Sequence, residues 1–120
     1  MHELSLCDDM LSQVVAIASQ HQARSIESIT INIGALSGIE PSLLDTAFSL
    51  LKTGTVAELA ELIIHITPVI VSCHNCNSQS QVVASRLLCS ICQSSDTTLI
   101  SGDELILANV AMYVETASNL

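Results

Sequence analysis

Four of the five cysteines in this 120-residue chain fall into two Cys-x-x-Cys pairs, Cys73/Cys76 and Cys89/Cys92, separated by the twelve residues Asn77 to Leu88. Four thiolates so spaced can close a tetrahedron around Zn²⁺, with Zn–S bonds of about 2.3 Å. The short loop inside each pair sets the bite of two sulfurs on the metal, and the spacer lets the second pair fold back on the first. Four sulfurs leave no open coordination position, so the expectation is a structural four-cysteine zinc ribbon and not a catalytic metal. A redox Cys-x-x-Cys pair usually opens a helix in a βαβ context, which is missing here, and a pair of disulfides belongs to secreted chains.

A second group of donors stands at the start, in Met1-His2-Glu3. A free α-amine, the His2 amide nitrogen and the His2 imidazole close adjoining chelate rings on one ion, and the Glu3 amide or carboxylate can supply a fourth donor. Nitrogen-rich, nearly planar ligation of this kind selects Ni²⁺ or Cu²⁺ over Zn²⁺. A Met-His start is most often without function, and the tripeptide by itself leaves the question open. The remaining candidates read as structural. Cys7 falls on an apolar helical stripe and is expected to be a buried thiol. His21 stands near a helix end as a partner of the dipole, His65 as an outward-facing or packed strand residue, and His74 as a solvent-exposed residue inside the first knuckle.

The elements that position these groups follow from periodicity. Leu4, Cys7, Leu11, Val14, Val15 and Ala18 recur at three- and four-residue spacing and predict an amphipathic helix from Leu4 to about Gln20. Ile29, Ile31 and Ile33 alternate with polar residues over 28–34, a half-buried strand. Glu40-Pro41 opens a second helix, with Leu43, Leu44, Ala47, Leu50 and Leu51 as its stripe and Gly54 as its stop. Residues 55–60 are ambiguous. A strand follows over 62–71, in which Pro68 marks a sheet edge or a bend. In the ribbon, Val82 and Val83 are the expected hydrophobic plug. Leu99 and Ile100 lead to a turn at Gly102-Asp103, and the strand over 104–114, apolar on both faces, is expected at the centre of the sheet. The organisation is thus an α/β domain over 1–71 and 97–120 with the zinc ribbon, 72–96, inserted between a strand and its partner.

Composition limits the functions. Hydrophobic residues make up 49% of the chain and aromatic residues only 2%, so the core must be aliphatic. Three basic residues, Arg24, Lys52 and Arg86, stand against twelve acidic ones, for a formal net charge of −9. Zn²⁺ on four thiolates would carry this to −11. Such a chain cannot neutralise phosphates, which excludes the nucleic-acid partner common to zinc ribbons. Acids where a secretory leader needs bases, and no apolar run near the ~20 residues of a membrane span, point to the cytoplasm and to no membrane role.

Four blocks of the sequence carry a resemblance: Met1-His2-Glu3-Leu4-Ser5-Leu6; Ile33-Gly34-Ala35-Leu36-Ser37-Gly38-Ile39-Glu40-Pro41 with Phe48 after it; the two cysteine knuckles; and Gly102-Asp103-Glu104-Leu105. Nearly end to end the chain resembles the HypA/HybF-type nickel metallochaperones, accessory proteins of [NiFe]-hydrogenase maturation. The resemblance implies an α+β fold in which two helices lie on a three-stranded mixed sheet from which the four-cysteine zinc ribbon emerges. It implies structural zinc on Cys73, Cys76, Cys89 and Cys92, and Ni²⁺ as transient cargo on Met1, His2 and Glu3, with Glu40 supporting that site from behind. Expected partners are a HypB-type GTPase and the hydrogenase large-subunit precursor. No reaction is expected of the chain, and it is expected to be a monomer or a weak homodimer. The alternative from another class is a zinc-ribbon adaptor that only mediates protein contacts.

Overall fold

The computed structural model describes residues 2–114, His2 by its backbone only. Helix α1 (His2–Gln20) is followed by strand β1 (Ala23–Gly34), helix α2 (Pro41–Leu51), strands β2 (Glu61–Thr67), β3 (Val69–Cys73), β4 (Gln79–Val82) and β5 (Thr97–Ser101), and finally β6 (Leu105–Val114). The strands form two three-stranded sheets, in the orders β2-β1-β6 and β4-β3-β5. The fold is α+β.

In α1 the residues Cys7, Met10, Leu11, Val14 and Ala18 are all buried, one stripe at helical spacing, whereas Val15 of the expected stripe is 37% exposed and Leu4 is half-buried. The helix starts two residues before Leu4, with Glu3 in the first turn, where a carboxylate suits the helix dipole. At its other end His21 Nδ1 lies 2.9 Å from the Ile17 carbonyl oxygen and satisfies one of the last acceptors. Strand β1 buries Ile26, Ile29, Ile31 and Ile33 and begins five residues earlier than alternation predicts. Ile26 is out of phase with the other three isoleucines, which hides the first half of the strand from a period-two search. Its N–H is held by the Val56 carbonyl at 3.1 Å, within the run of turns over 55–60 that buries Ala57 and Ala60.

Helix α2 begins at Pro41, with Glu40 as its extended N-cap (φ −88°, ψ 113°). It buries Leu44, Ala47 and Phe48, whereas Leu43 and Leu50 of the expected stripe are 54% and 70% exposed. Phe48 takes their share of the core, and the Lys52 ammonium stands 5.3 Å from its ring centroid.

Pro68 separates the expected 62–71 strand into β2 and β3, which belong to different sheets. Strand β6 is at the edge of its sheet and β1 is at the centre, which reverses the expectation for 104–114. Neither face of β6 holds a fully buried residue: Ile106 and Val114 on one face and Tyr113 on the other are each about half exposed.

The chain divides into two compact units, one of Met1–Ile31, Ile39–Ile64 and Leu107–Leu120, the other of Asn32–Gly38 and His65–Ile106. The first holds α1, α2 and most of the β2-β1-β6 sheet. In the second, β3 pairs antiparallel with β4 (Val71 opposite Ser80) and with β5 (Val71 opposite Leu99), with a bulge between Ile70 and Val71 on the β5 side. Val69, Val71 and Cys73 alternate into the interior. They form the plug that was expected of Val82 and Val83; Val82 is half-buried and Val83 is 63% exposed.

Candidate metal centre

Cys73 ends β3, and Cys76 follows one turn later; Cys89 and Cys92 close the matching turn after β4. The two knuckles repeat one hydrogen-bond pattern. Cys73 N–H donates to Ser78 O (2.8 Å) and Asn77 N–H to Cys73 O (3.0 Å); Cys89 N–H donates to Ser94 O (3.0 Å) and Gln93 N–H to Cys89 O (2.9 Å). The residue after each second cysteine adopts a left-handed backbone, Asn77 at φ 61° and Gln93 at φ 67°. Each turn aims two amides at its first sulfur. Asn75 and Cys76 N–H reach Cys73 Sγ at 3.3 and 3.5 Å, and Ile91 and Cys92 N–H reach Cys89 Sγ at 3.4 and 3.5 Å.

The four sulfurs lie within 4.8 Å of one another, with Cys73–Cys92 at 3.5 Å and Cys76–Cys89 at 3.6 Å. A tetrahedron with bonds of about 2.3 Å has S···S edges of roughly 3.8 Å. The separations fit one tetrahedral ion and are far too long for S–S bonds of about 2.05 Å. Electrostatics prepare the same outcome. The N–H groups of Cys92 and Ile91 favour the ionised Cys89 thiol and bring its pKa down to about 6, and the Asn75 side-chain amide, 3.5 Å from Cys92 Sγ, lowers that of Cys92. Two of the sulfurs are thus inclined to lose their protons, whereas burial and the neighbouring Cys89 and Cys92 thiols raise the pKa of Cys76. The site is a four-cysteine centre able to hold a metal such as zinc.

Asn75 and Ser80, whose hydroxyl lies 4.0 Å from Cys89 Sγ, belong to this centre although cysteine spacing gives no sign of them. Asn75 sits inside the first Cys-x-x-Cys, and an amide side chain there was the available clue. His74 is exposed, and its Nε2 shares a hydrogen bond with Thr98 Oγ1. His65 is exposed on β2, and Cys7 is fully buried in α1.

Of the four residues expected at the nickel site, the ligands Met1, His2 and Glu3 and the supporting Glu40, Met1 and the side chain of His2 lie outside the described residues. The remaining two meet across the first unit. Glu3 Oε2 accepts the Glu40 backbone N–H at 3.0 Å, and the Glu40 carboxylate accepts the Ser42 hydroxyl at 3.2 Å. Glu40 makes no side-chain cap of its own on α2. In a capping box the carboxylate three residues into a helix reaches back to the N-cap N–H; here Leu43 occupies that place, and Glu3 of α1 makes the bond instead. The first turn of α1 is thereby tied to the start of α2. Amides in that first turn have no carbonyl partner within the helix.

The family model described as hydrogenase/urease nickel incorporation metallochaperone HypA matches residues 1–112. The chain is 37% identical over 115 residues to the hydrogenase maturation factor HypA of Aquifex aeolicus, covering 96% of this chain and all of that protein. It is 38% identical over 112 residues to the factor of the same name from Nitrosospira multiformis, covering 93% and 97% of the two chains. Among solved structures it resembles the solution structure of the nickel metallochaperone HypA from Helicobacter pylori, at 26% identity and a TM-score of 0.68, over 94% of this chain and 98% of that one. The family is one of maturation factors and not of enzymes. Matched over nearly its whole length in both sequence and fold, the chain belongs to the HypA family of hydrogenase/urease nickel-incorporation metallochaperones.

Proposed function

We propose that this chain captures Ni²⁺ at its N-terminal segment and passes it to the [NiFe]-hydrogenase large-subunit precursor in the cytoplasm, together with a HypB-type GTPase. Met1 supplies the amine, His2 its amide nitrogen and imidazole, and Glu3 its amide nitrogen; Glu3 and Glu40 hold this segment from behind. Cys73, Cys76, Cys89 and Cys92 keep structural Zn²⁺. The observation that carries the nickel reading is the 3.0 Å bond from Glu40 N–H to the Glu3 carboxylate, which fixes the residue next to His2 against α2. Helix amides of the first turn can release their protons to water and bind a metal in their place without breaking an intrahelical bond. A ligand set on a chain end can also leave the ion one donor at a time, as delivery requires.

The test compares the tag-free, zinc-loaded protein with a variant carrying one extra residue before Met1. The extension keeps every side chain and moves the amine away from His2. Stoichiometric, planar Ni²⁺ binding by the first and its loss in the second is the expected result; equal binding by both would move the site to side chains alone. Affinity should also fall from pH 8 to pH 6, because amine, imidazole and amides bind without their protons.

A further inference from the structure

Among the described residues, strand β6 lies at the edge of its sheet, next to β1. Its ten residues, Leu105 to Val114, contain no Lys, Arg, Asp, Glu, Pro or Gly. Natural edge strands are commonly short, charged or interrupted by proline, because an open row of N–H and C=O groups recruits another strand. The opposite edge follows that rule: β2 starts at exposed Glu61, carries exposed His65 and is stopped by Pro68. Edge β6 has none of these guards. Beside its residues 107–112 runs a groove of about 270 Å³, walled by Ile17 of α1 and by Leu107, Val110 and Met112. An added strand would find main-chain partners along β6 and an apolar slot for one side chain, the two ingredients of β-strand addition.

Charge selects the occupant. The unit that contains Leu107–Val114 carries nine acidic residues against Arg24 and Lys52, a formal charge of −7. A second copy would bring the same charge to a strand that offers no cation in return. We propose that β6 is the docking edge for an extended, lysine- or arginine-bearing segment of a partner protein. The segment adds as a fourth strand next to β6, seats one apolar side chain against Ile17 and brings its cations to a unit of net negative charge.

The experiment uses the zinc-loaded full chain and two seven-residue peptides of alternating Thr and Val, one capped by Lys at both ends and one by Glu. Amide hydrogen exchange and NMR shifts are read with and without peptide. The Lys-capped peptide should slow one alternate set of amides in 107–113 by about tenfold or more and should bind more weakly as salt rises. The Glu-capped peptide should bind at least about tenfold more weakly. Ala108→Lys, on an exposed position, should abolish the Lys-capped response while leaving the circular dichroism spectrum unchanged. The proposal is overturned by equal binding of the two peptides, by binding of neither, or by shifts centred on another strand. Protection of those amides before peptide is added also overturns it: concentration-dependent protection would mean a second copy, and concentration-independent protection the chain's own residues 115–120.

Discussion

Gly34 and Gly102 meet backbone to backbone. Leu36 N–H donates to the Gly102 carbonyl at 2.6 Å, and a Cβ on Gly34 would overlap that carbonyl and come within 2.6 Å of Asp103 N. Gly102 itself has φ +119°, and a Cβ there would stand 2.8 Å from the Val69 Cα. Neighbouring backbone cannot swing aside as a side-chain tip can. Gly34→Ala is therefore expected to lower unfolding stability by about 3 kcal/mol or more. Gly38→Ala is the control, since its φ is +78° but nothing lies within 4 Å of the added methyl. It should lose only the left-handed preference, about 1 kcal/mol. Urea unfolding of both variants checks the contrast, and equal losses would remove the close-approach argument.

The Glu3–Glu40 bond makes a separable prediction. Glu3→Ala deprives the α2 N-cap of its acceptor and should reduce stability by about 1 kcal/mol. Glu3→Gln keeps an amide oxygen in the same place and should lose less than half of that. Nickel affinity, measured by competition with a chelator, should follow the same order if the bond acts by holding the first turn of α1. An affinity as low in Glu3→Gln as in Glu3→Ala would instead make the carboxylate charge the important property.

Removing the metal should have a local effect. Val69, Val71, Cys73 and Cys89 are the buried apolar residues around the centre, too few to hold β4 and β5 in place. Isolated small sheets are marginal in water, so the ion's binding energy is largely the folding energy of this part. With a strong chelator, amides of β3, β4 and β5 should exchange rapidly while those of Ile29 and Ile31 stay protected. Cys76→Ser should give the same pattern. Uniform exchange across the chain after chelation would show one cooperative unit instead.

What the sequence made legible was whatever repeats at a fixed period. The α1 stripe apart from exposed Val15, the Ile29/Ile31/Ile33 alternation and the cysteine spacing survive in the structure, because each is set by local geometry. Strands β4 and β5 escaped notice because Gln79–Val82 and Thr97–Ser101 are short and polar; pairing with β3 orders them, and propensity does not. The misplacement of β6 has a related cause. Apolar residues on both faces signal a central strand only if both faces are covered, and coverage is a property of the assembled sheet. Leu43 and Leu50 were assigned inward for the same reason: periodicity fixes the faces of a helix but not how wide a stripe its neighbours bury.

Cys7 allows a test in which the sign of a pH effect is fixed in advance. Its side chain is fully buried, and burial first, then the Asp8 charge, pushes the thiol from an ordinary value of 9.0 up to about 11. The folded state thus holds the Cys7 proton more tightly than the unfolded chain does. Its contribution to stability is complete below about pH 9, shrinks as the unfolded thiol ionises, and is gone once pH passes about 11. Lys52 and Tyr113 are of types that also titrate in that window, so the comparison must be with Cys7→Ala, which lacks this one group. Urea midpoints of the two proteins, followed from pH 8 to pH 11, should converge as pH rises, with the native protein losing more. At pH 8 the zinc-loaded native protein should leave Cys7 unmodified by iodoacetamide and label it only after unfolding. Parallel midpoints together with rapid native labelling would mean that this stretch of α1 opens readily and that Cys7 is not the sealed core residue its burial makes it.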